Sequence, residues 1–428
     1  LVWSLALLPV LFFLAGVRPT DFHSLPGVLN VLGRLSGVVG LAFLLLSAAL
    51  SARVPGFDLP FGGLTRLWNT HHLLGAAALL TLLAHPLLLA FAAQGQGDGL
   101  AFDTLFPPLS EWGVWAGWLA LLLMMGFLAP SFSFFGHPDY ERWKRLHDLA
   151  PFAVILGLAH TYLLSRTMPA GLDLLVWGLF ALLAIGAVLW RFVFSRRIGR
   201  LPYSVVQIDR PANNVVELTL EPKRRALHYR AGNFVYLTPF DHDLQAGFAE
   251  EHPYTLSSSP REPHLRVAIK ALGNASRAIQ SIAEGSKVTV EGPYGRFFKH
   301  PDEVPGPELW ISGGIGVTPF LARMRHLVQM NQGGDIRFVY CVQDEARALY
   351  FEELRTLANA IPGFCLITHF FYRQGPLSAE FLREHCGDIE NREVYICGPA
   401  PLNRLAQGHL RSLGVSRRDI HSEEFELL

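Results

Sequence analysis

Hydrophobic residues follow two different patterns along this 428-residue chain, and the change comes near residue 195. Before it, six apolar segments alternate with short polar loops, and each comes close to the roughly 20 residues that a helix needs to cross a bilayer core. They are residues 1–17, 29–50, 69–93, 111–129, 147–165 and 171–194. We interpret the first segment as a span rather than a signal peptide, because no basic stretch precedes it and five similar segments follow. The pattern predicts a membrane α-helical bundle of six spans, surrounded by a lipid bilayer.

The hydrophobic period shortens after about Leu201, where brief alternating runs separated by turn residues predict a small antiparallel β-barrel. From about Glu308, apolar strands alternate with amphipathic stretches, which predicts an α/β domain with a parallel sheet. We therefore expect three domains. They are a transmembrane domain at residues 1–198, a β-barrel domain at 199–303 and an α/β domain at 304–428.

Charge sets the expected orientation of these domains. The chain has 36 basic and 36 acidic residues, so its net charge of zero gives no support for a nucleic-acid partner. Lys and Arg cluster after the second, fourth and sixth spans, whereas the loop 94–112 after the third span has acidic residues and no basic ones. The positive-inside rule then places the C-terminal half in the cytoplasm. All four cysteines lie in that half without a CxxC pair, so neither a zinc site nor a disulfide framework is indicated.

The third and fifth spans carry histidines at nearly equal spacing. His71 and His85 are 14 residues apart, about 21 Å along a helix and close to one face. His147 and His160 are 13 residues apart, and Pro151 between them offers a kink that absorbs the difference. Two such helices can clamp two haems, because neutral imidazole is an ordinary axial ligand of haem iron. The alternative is hydrogen bonding between helices.

Two details of this membrane site stay open at the sequence level. His72 is also 13 residues from His85, so it competes with His71, which we favour because Gly75 lies one turn further along the same face. Arg34, inside the second span, either extends to the interface or pairs with a haem propionate.

Four signals in the C-terminal half indicate nucleotide and flavin binding. The first is HPYTLSS at a predicted strand, and the second is a lysine ahead of a helix start, a favourable seat for a diphosphate. The third is a glycine-rich turn between a strand and a helix, and the fourth is CGP at the end of a strand, where open α/β sheets hold ligands. The residues concerned are His252, Pro253, Tyr254, Thr255 and Ser257; Lys270, Gly273 and Ser276; Gly313, Gly314, Gly316, Thr318 and Pro319; and Cys397, Gly398 and Pro399.

Taken in order, these motifs and the paired histidines resemble the ferric reductase and NADPH oxidase superfamily, most closely its bacterial members. The resemblance covers nearly the whole chain and includes the C-terminal Glu424-Phe425. It implies FAD, NADPH or NADH, and two b haems as cofactors, in a bacterial inner membrane. It assigns His71 and His147 to an inner haem and His85 and His160 to an outer one.

The same resemblance implies roles for individual residues around the flavin and the outer haem. Tyr254 and Thr255 contact the flavin, and Lys270 binds the FAD diphosphate. Phe425 covers the flavin ring until nicotinamide displaces it, and Cys397 lines the nicotinamide pocket. Arg34 lies by the outer haem. Among these residues Thr255, Cys397, Phe425 and Arg34 are the expected catalytic set, in the sense that they contact cofactors or the acceptor.

The chain departs from the family pattern at two places. Leu89 stands where eukaryotic oxidases have a further histidine. Gln343 replaces an arginine that reads the 2′-phosphate and is followed by two acidic residues, whereas Arg373 stands at a second 2′-phosphate position. Coenzyme choice therefore leans only slightly to NADPH.

The expected function is transfer of electrons from cytoplasmic NAD(P)H through FAD and two haems to a small acceptor on the outer face. Oxygen, giving superoxide, is the first candidate acceptor and a ferric chelate the second. No obligatory protein partner is evident. The competing interpretations are a non-redox transporter with a nucleotide-binding regulatory domain, and a flavin reductase on an inert membrane anchor.

Overall fold

A computed structural model describes residues 2–61, 63–131, 140–164 and 171–424. The chain forms two compact units, one of Leu1–Val54 with Thr65–Arg196 and the other of Pro55–Leu64 with Arg197–Leu428. The predicted boundaries of the three domains stay predictions.

The first unit is helical. Its helices are α1 (Val2–Ala15), α2 (Leu25–Leu50), α3 (Leu64–Gln94), α4 (Leu100–Leu105), α5 (Trp112–Leu128), α6 (Tyr140–His147), α7 (Ala150–Leu164) and α8 (Leu172–Leu189). Five helical stretches in the described residues are long and apolar enough to cross a membrane, and they coincide with the second to sixth predicted spans. The first predicted span is the 14-residue apolar helix α1, so a count of six spans stays a prediction.

The fifth predicted span is divided into two helices. Helix α6 ends at His147, two turn residues follow, and α7 begins at Ala150. Pro151 lies in the first turn of α7, where its missing N–H costs no helical hydrogen bond. The kink expected at Pro151 is therefore a complete break in the helix just ahead of the proline.

The second unit begins with an antiparallel sheet after a π-helical turn region, Trp190–Gly199. Its strands are β1 (Arg200–Ala212), β2 (Val215–Pro222), β3 (Phe234–Pro239), β4 (His252–Thr255), β5 (Leu265–Lys270) and, after the short helix α9 (Asn274–Ala278), β6 (Lys287–Tyr294). The sheet order is β4-β3-β6-β1-β2-β5, and a further antiparallel pairing of Leu256 with Val267 brings its two edges together. The sheet is curled around an apolar interior, and its closure into a true barrel stays a prediction.

A parallel sheet follows, as predicted. Its elements are β7 (Glu308–Gly313), α10 (Thr318–Met330), β8 (Ile336–Val342), α11 (Phe351–Ala360), β9 (Phe364–Phe370), α12 (Phe371–Gln374), α13 (Ala379–Cys386), β10 (Glu393–Gly398), α14 (Ala400–Ser412) and β11 (Ile420–Glu424). The strand order is β11-β10-β7-β8-β9, all parallel. Every residue of β7 is buried, as expected for a strand covered by helices on both faces.

Candidate functional site

The membrane helices bring the four predicted histidine ligands together as two pairs. We call His71 with His147 the first histidine pair and His85 with His160 the second histidine pair. The ring centroids are 6.1 Å apart in the first pair and 6.2 Å in the second. Two imidazoles on opposite sides of one metal ion, with bonds of about 2.0–2.1 Å, need a separation of this size. Each pair therefore fits the ligation of one haem iron.

Hydrogen bonds in the second histidine pair leave one ring nitrogen free for a metal. Nδ1 of His85 donates to the carbonyl of Gly33 at 2.7 Å, and Nδ1 of His160 donates to the carbonyl of Gly113 at 2.9 Å. A carbonyl only accepts, so Nδ1 carries the proton and Nε2 presents a lone pair. The sequence prediction missed these partners, although a Gly-x-x-x-Gly sequence in each neighbouring helix was an available signal.

The first histidine pair is held on one side only. Nδ1 of His71 donates to the carbonyl of Ser47 at 2.8 Å, and the Ser47 hydroxyl in turn donates to the carbonyl of His71 at 3.1 Å. Nδ1 of His147 is buried and has no hydrogen-bond partner among the described residues. Its ring instead contacts the aromatic rings of Phe127 and Trp143, each with centroids 5.1 Å away.

The structure also separates the two candidate ligands on α3. His71 is buried, with 8% of its surface exposed, and faces His147, whereas His72 lies on an exposed face of the helix. The geometry favours His71, the residue preferred from the sequence.

A cavity of about 520 Å³ lies beside the second histidine pair, between α2, α3, α5, α7 and α8. Its wall is mostly apolar and includes Leu89. The polar side chains on it, besides the two histidines, are Arg34, Thr104 and Thr161. The Arg34 guanidinium lies 5.5 Å from the centroid of the Phe13 ring, so the cation is part of the cavity wall. An apolar cavity flanked by two imidazoles and one cation suits a flat macrocycle that carries carboxylates.

In the second unit, the HPYT residues form β4, and Tyr254 pairs with Val235 of β3. His252 lies 3.4 Å from the carboxylate of Glu250. Thr255 is buried, and burial raises the pKa of the Tyr254 hydroxyl, which therefore stays neutral and able to donate. This strand presents its predicted flavin-contacting residues at the end of the curled sheet.

Ser257 has a different environment from the rest of that motif. Its side chain is fully buried and donates to Glu217 at 2.5 Å, while its carbonyl accepts from Arg325 at 2.7 Å. Arg325 also makes a two-bond contact with Glu353, at 2.6 and 2.9 Å. The Ser257 hydroxyl thus supports the strand end, and direct contact of this side chain with a cofactor stays a prediction.

The predicted diphosphate seat is found at the end of β5. Lys270 is the last residue of that strand, and α9 begins four residues later. The Ser276 hydroxyl accepts from the amides of Leu272 and Gly273, both at 2.9 Å. Two amides of this turn therefore already have a partner, and Ser276 caps its own helix.

The glycine-rich turn and the CGP segment meet at the carboxyl ends of β7 and β10. A Cβ on Gly316 would lie 2.2 Å from the carbonyl oxygen of Cys397, so this position has no room for a side chain. Gly314 has φ +56°, a left-handed conformation that favours glycine. The Thr318 hydroxyl donates to Ile315 at 3.0 Å, which closes the turn ahead of Pro319 and α10.

Cys397 is fully buried, and burial raises the pKa of its thiol, so this cysteine is neutral. Strand β11 runs beside it, with Glu423 opposite Cys397. Burial, with the nearby Asp58 carboxylate as a second cause, raises the pKa of Glu423 to about 8. The sequence prediction singled out Glu424-Phe425 and missed Glu423. Phe425 itself lies outside the described residues, and its role stays a prediction.

Arg373, the candidate reader of a 2′-phosphate, lies in α12 directly after β9. It is 68% exposed and pairs with Glu345 at 3.3 Å, above the ring of Phe370. A phosphate at this position would have to compete with that carboxylate. The opposing charges noted in the sequence are therefore in contact.

Comparison with known proteins finds three family models in consecutive order along the chain. Residues 36–158 match a ferric reductase like transmembrane component, residues 200–297 an FAD-binding domain and residues 310–408 an oxidoreductase NAD-binding domain.

Curated relatives share sequence with part of the chain. The glycine betaine monooxygenase reductase subunit of Chromohalobacter salexigens is 30% identical over 46% of this chain and 56% of its own length. The ferredoxin reductase component of 3-ketosteroid-9-alpha-monooxygenase from Rhodococcus rhodochrous is 28% identical over 55% of this chain and 66% of its own. The chain thus spans between half and two thirds of the length of these relatives. Among solved structures, the flavohem-like FAD/NAD-binding domain of nitric oxide dioxygenase from Vibrio cholerae is 23% identical over 52% of this chain and 98% of that one, with a TM-score of 0.46.

Proposed function

Because the chain belongs to the superfamily that joins a ferric-reductase-like transmembrane component to FAD- and NAD-binding domains, it is a membrane oxidoreductase that uses FAD and NAD(P)H, and we propose that it transfers electrons across the membrane. In this proposal the donor is NAD(P)H in the cytoplasm of a bacterium, and the acceptor is a small molecule at the outer face of the inner membrane. Two b haems connect the sides. The two histidine pairs at 6.1 and 6.2 Å carry the proposal.

The bound groups would supply the redox chemistry, a hydride acceptor in FAD and one-electron carriers in the haem irons. The protein positions them. His71 and His147 would hold one haem, and His85 and His160 the other. In the second pair, the hydrogen bonds of Nδ1 to helix carbonyls keep Nε2 directed between the rings.

In the reductase unit, the proposal assigns the flavin ring to Tyr254 and Thr255 and its diphosphate to Lys270, with Gly273 and Ser276. The nicotinamide nucleotide would bind over Gly313–Pro319 and against Cys397, Gly398 and Pro399. Because the Cys397 thiol is neutral and buried, its role is to shape the pocket rather than to react. Arg373 would contact the adenosine end.

The proposed acceptor is oxygen, with superoxide as the product. Leu89 and its apolar neighbours line the cavity beside the second pair, so this wall offers no proton to a bound oxygen species, and outer-sphere transfer of single electrons is expected. A ferric chelate is the second candidate, because Arg34 on the cavity wall would attract an anionic complex.

Sealed proteoliposomes test the proposal. With the reductase side outward, NADPH is added outside, and superoxide or ferrous iron is measured in the lumen with impermeant probes. We expect product in the lumen, at a rate that ranks the acceptors. Product only on the NADPH side, formed equally fast when His85 is replaced by Leu, would instead identify a flavin reductase on an inert anchor. A protein purified without haem and without NADPH oxidation would favour the transporter interpretation.

A further inference from the structure

The second histidine pair is built by the same arrangement twice. His85 of α3 faces Gly33-Arg34-Leu35-Ser36-Gly37 of α2, and His160 of α7 faces Gly113-Val114-Trp115-Ala116-Gly117 of α5. In each case the first glycine supplies the carbonyl that accepts from Nδ1, at 2.7 and 2.9 Å. The second glycine lies one helical turn further on.

That second glycine is in contact with the imidazole ring. A Cβ built on Gly37 would lie 2.7 Å from Nδ1 and 2.9 Å from Cε1 of His85. A Cβ built on Gly117 would lie 2.6 Å from Nδ1 and 2.8 Å from Cε1 of His160. Real Cβ atoms do not approach so closely, so any side chain at either position would push the ring away from its carbonyl.

The first histidine pair lacks this arrangement. Ser47, not a glycine, faces His71, and a Cβ on the nearby Gly75 would meet only ordinary contacts at 3.6 Å or more. Continuing the register of His160 with Gly113 by 13 residues would place Gly126 opposite His147. The break ahead of α7 removes that relation, and a Cβ on Gly126 meets no atom within 4 Å.

We propose that Gly37 and Gly117 are positioning residues that set the direction of the two Nε2 lone pairs in the second histidine pair, and thereby the haem occupancy and potential of that site alone. This inference rests on the proposed function. Without a Cβ at these positions, each imidazole packs flat against the neighbouring helix while its Nδ1 reaches the carbonyl four residues earlier. The ring is then held at two points, and Nε2 faces the opposite ring.

The test uses full-length Gly37→Ala and Gly117→Ala proteins. The control is Gly186→Ala, an exposed position on α8 where a Cβ meets nothing within 4 Å. Haem-to-FAD ratio, low-temperature absorption spectra and a redox titration are measured on each purified protein. His85→Leu and His71→Leu proteins provide reference spectra for loss of one site or the other.

We expect both glycine variants to lose, or to shift in potential, the haem component that is missing from His85→Leu. The component missing from His71→Leu and the FAD content should match the wild type, and Gly186→Ala should be unchanged. Two outcomes overturn the proposal. One is unaltered spectra and potentials in both variants. The other is equal loss of both haem components, which would make the glycines ordinary helix-packing residues. A wild-type protein without haem would refute the proposed function itself, before any variant is compared.

Discussion

The two units of this protein hold their candidate functional residues in opposite ways. In the helical unit, each site histidine has at most one or two polar neighbours and otherwise apolar surroundings, as in the single bond from His85 to Gly33. In the reductase unit, the motif residues belong to buried polar networks, as where Arg325 binds Ser257, Glu217 and Glu353. A replacement in the helical unit should therefore affect one site, whereas a replacement in the reductase unit should affect the fold around it.

The largest effect should come from the histidines, and it sharpens the helical side of this comparison. His71→Leu and His85→Leu should each remove about one haem from about two, and stop electron transfer across the membrane, because each haem depends on both of its ligands. FAD content should be unchanged. The measurement is haem-to-FAD ratio together with acceptor reduction in sealed vesicles.

His72→Leu is the matched control, since the adjacent histidine lies on the exposed face of the same helix. It should keep both haems. If His72→Leu loses a haem and His71→Leu does not, the assignment on α3 is reversed.

The next effect tests the reductase side. Arg325→Ala leaves Glu217 buried without its cation, which typically costs about 3–5 kcal/mol. We expect a lower unfolding midpoint of the reductase unit and weaker FAD retention, since Arg325 holds the carbonyl of Ser257. Differential scanning calorimetry with flavin fluorescence measures both.

The control is Arg355→Ala, whose partner Glu352 is on the surface, a pair worth about 0–1 kcal/mol at most. Equal destabilisation by the two changes would contradict the contrast between buried networks and isolated contacts.

A smaller effect depends on pH and involves Glu423. Its pKa is raised to about 8 in the folded protein, against 4.5 for an ordinary glutamate. The folded state therefore keeps a proton that the unfolded state loses, and this group makes stability fall as pH rises from about 4.5 to about 8, by at most about 1.4 kcal/mol per pH unit. Above pH 8 its contribution is constant.

Glu423→Gln should remove that slope, because an amide does not titrate, and leave the stability of the reductase unit flatter between pH 5 and about 8. Thermal unfolding of both proteins across this range is the measurement. Parallel profiles would show that Glu423 is ionised in the folded protein. Asp419→Asn, an acidic residue just ahead of β11 whose titration is unperturbed in position, is replaced by a simpler comparison with the wild type at each pH.

The smallest effect concerns the coenzyme. Arg373 is exposed and already paired with Glu345, so its value to a 2′-phosphate is reduced. Arg373→Ala should raise the KM for NADPH by up to about tenfold, the equivalent of about 1.4 kcal/mol, and change the KM for NADH little. Glu345→Gln should lower the KM for NADPH. Equal changes for both coenzymes would show that Arg373 does not read the phosphate.

The sequence predicted much of this structure because its signals were periodic or local. Five apolar spans, the change to strands near residue 200 and the turn at Gly313–Pro319 follow from spacing and from glycine positions. The histidine pairs followed from two equal spacings. What the sequence did not reveal depends on the register between helices or strands. Examples are the contact of His85 with Gly33, 52 residues away, and the position of Glu423 beside Cys397.

Register also explains why one motif residue had an unexpected environment. Ser257 belongs to a flavin motif, but its hydroxyl is bound by Glu217 of β2, and the pairing of distant strands was not evident from local sequence. Pro151 shows the opposite case. A local breaker was correctly recognised, but only the structure shows that it separates His147 from the helix that carries His160.

The break between α6 and α7 makes the two halves of the bundle unequal in their tolerance of inserted residues. Fourteen residues separate Gly33 from Ser47 and also His71 from His85, so α2 and α3 share one uninterrupted antiparallel register. One residue inserted within either helix would rotate everything beyond it by about 100° and separate a histidine from its carbonyl. The turn at residues 148–149 already interrupts the opposite side. Length changes during the divergence of such proteins should therefore collect at that turn, and α2 and α3 should keep a constant length between these contacts.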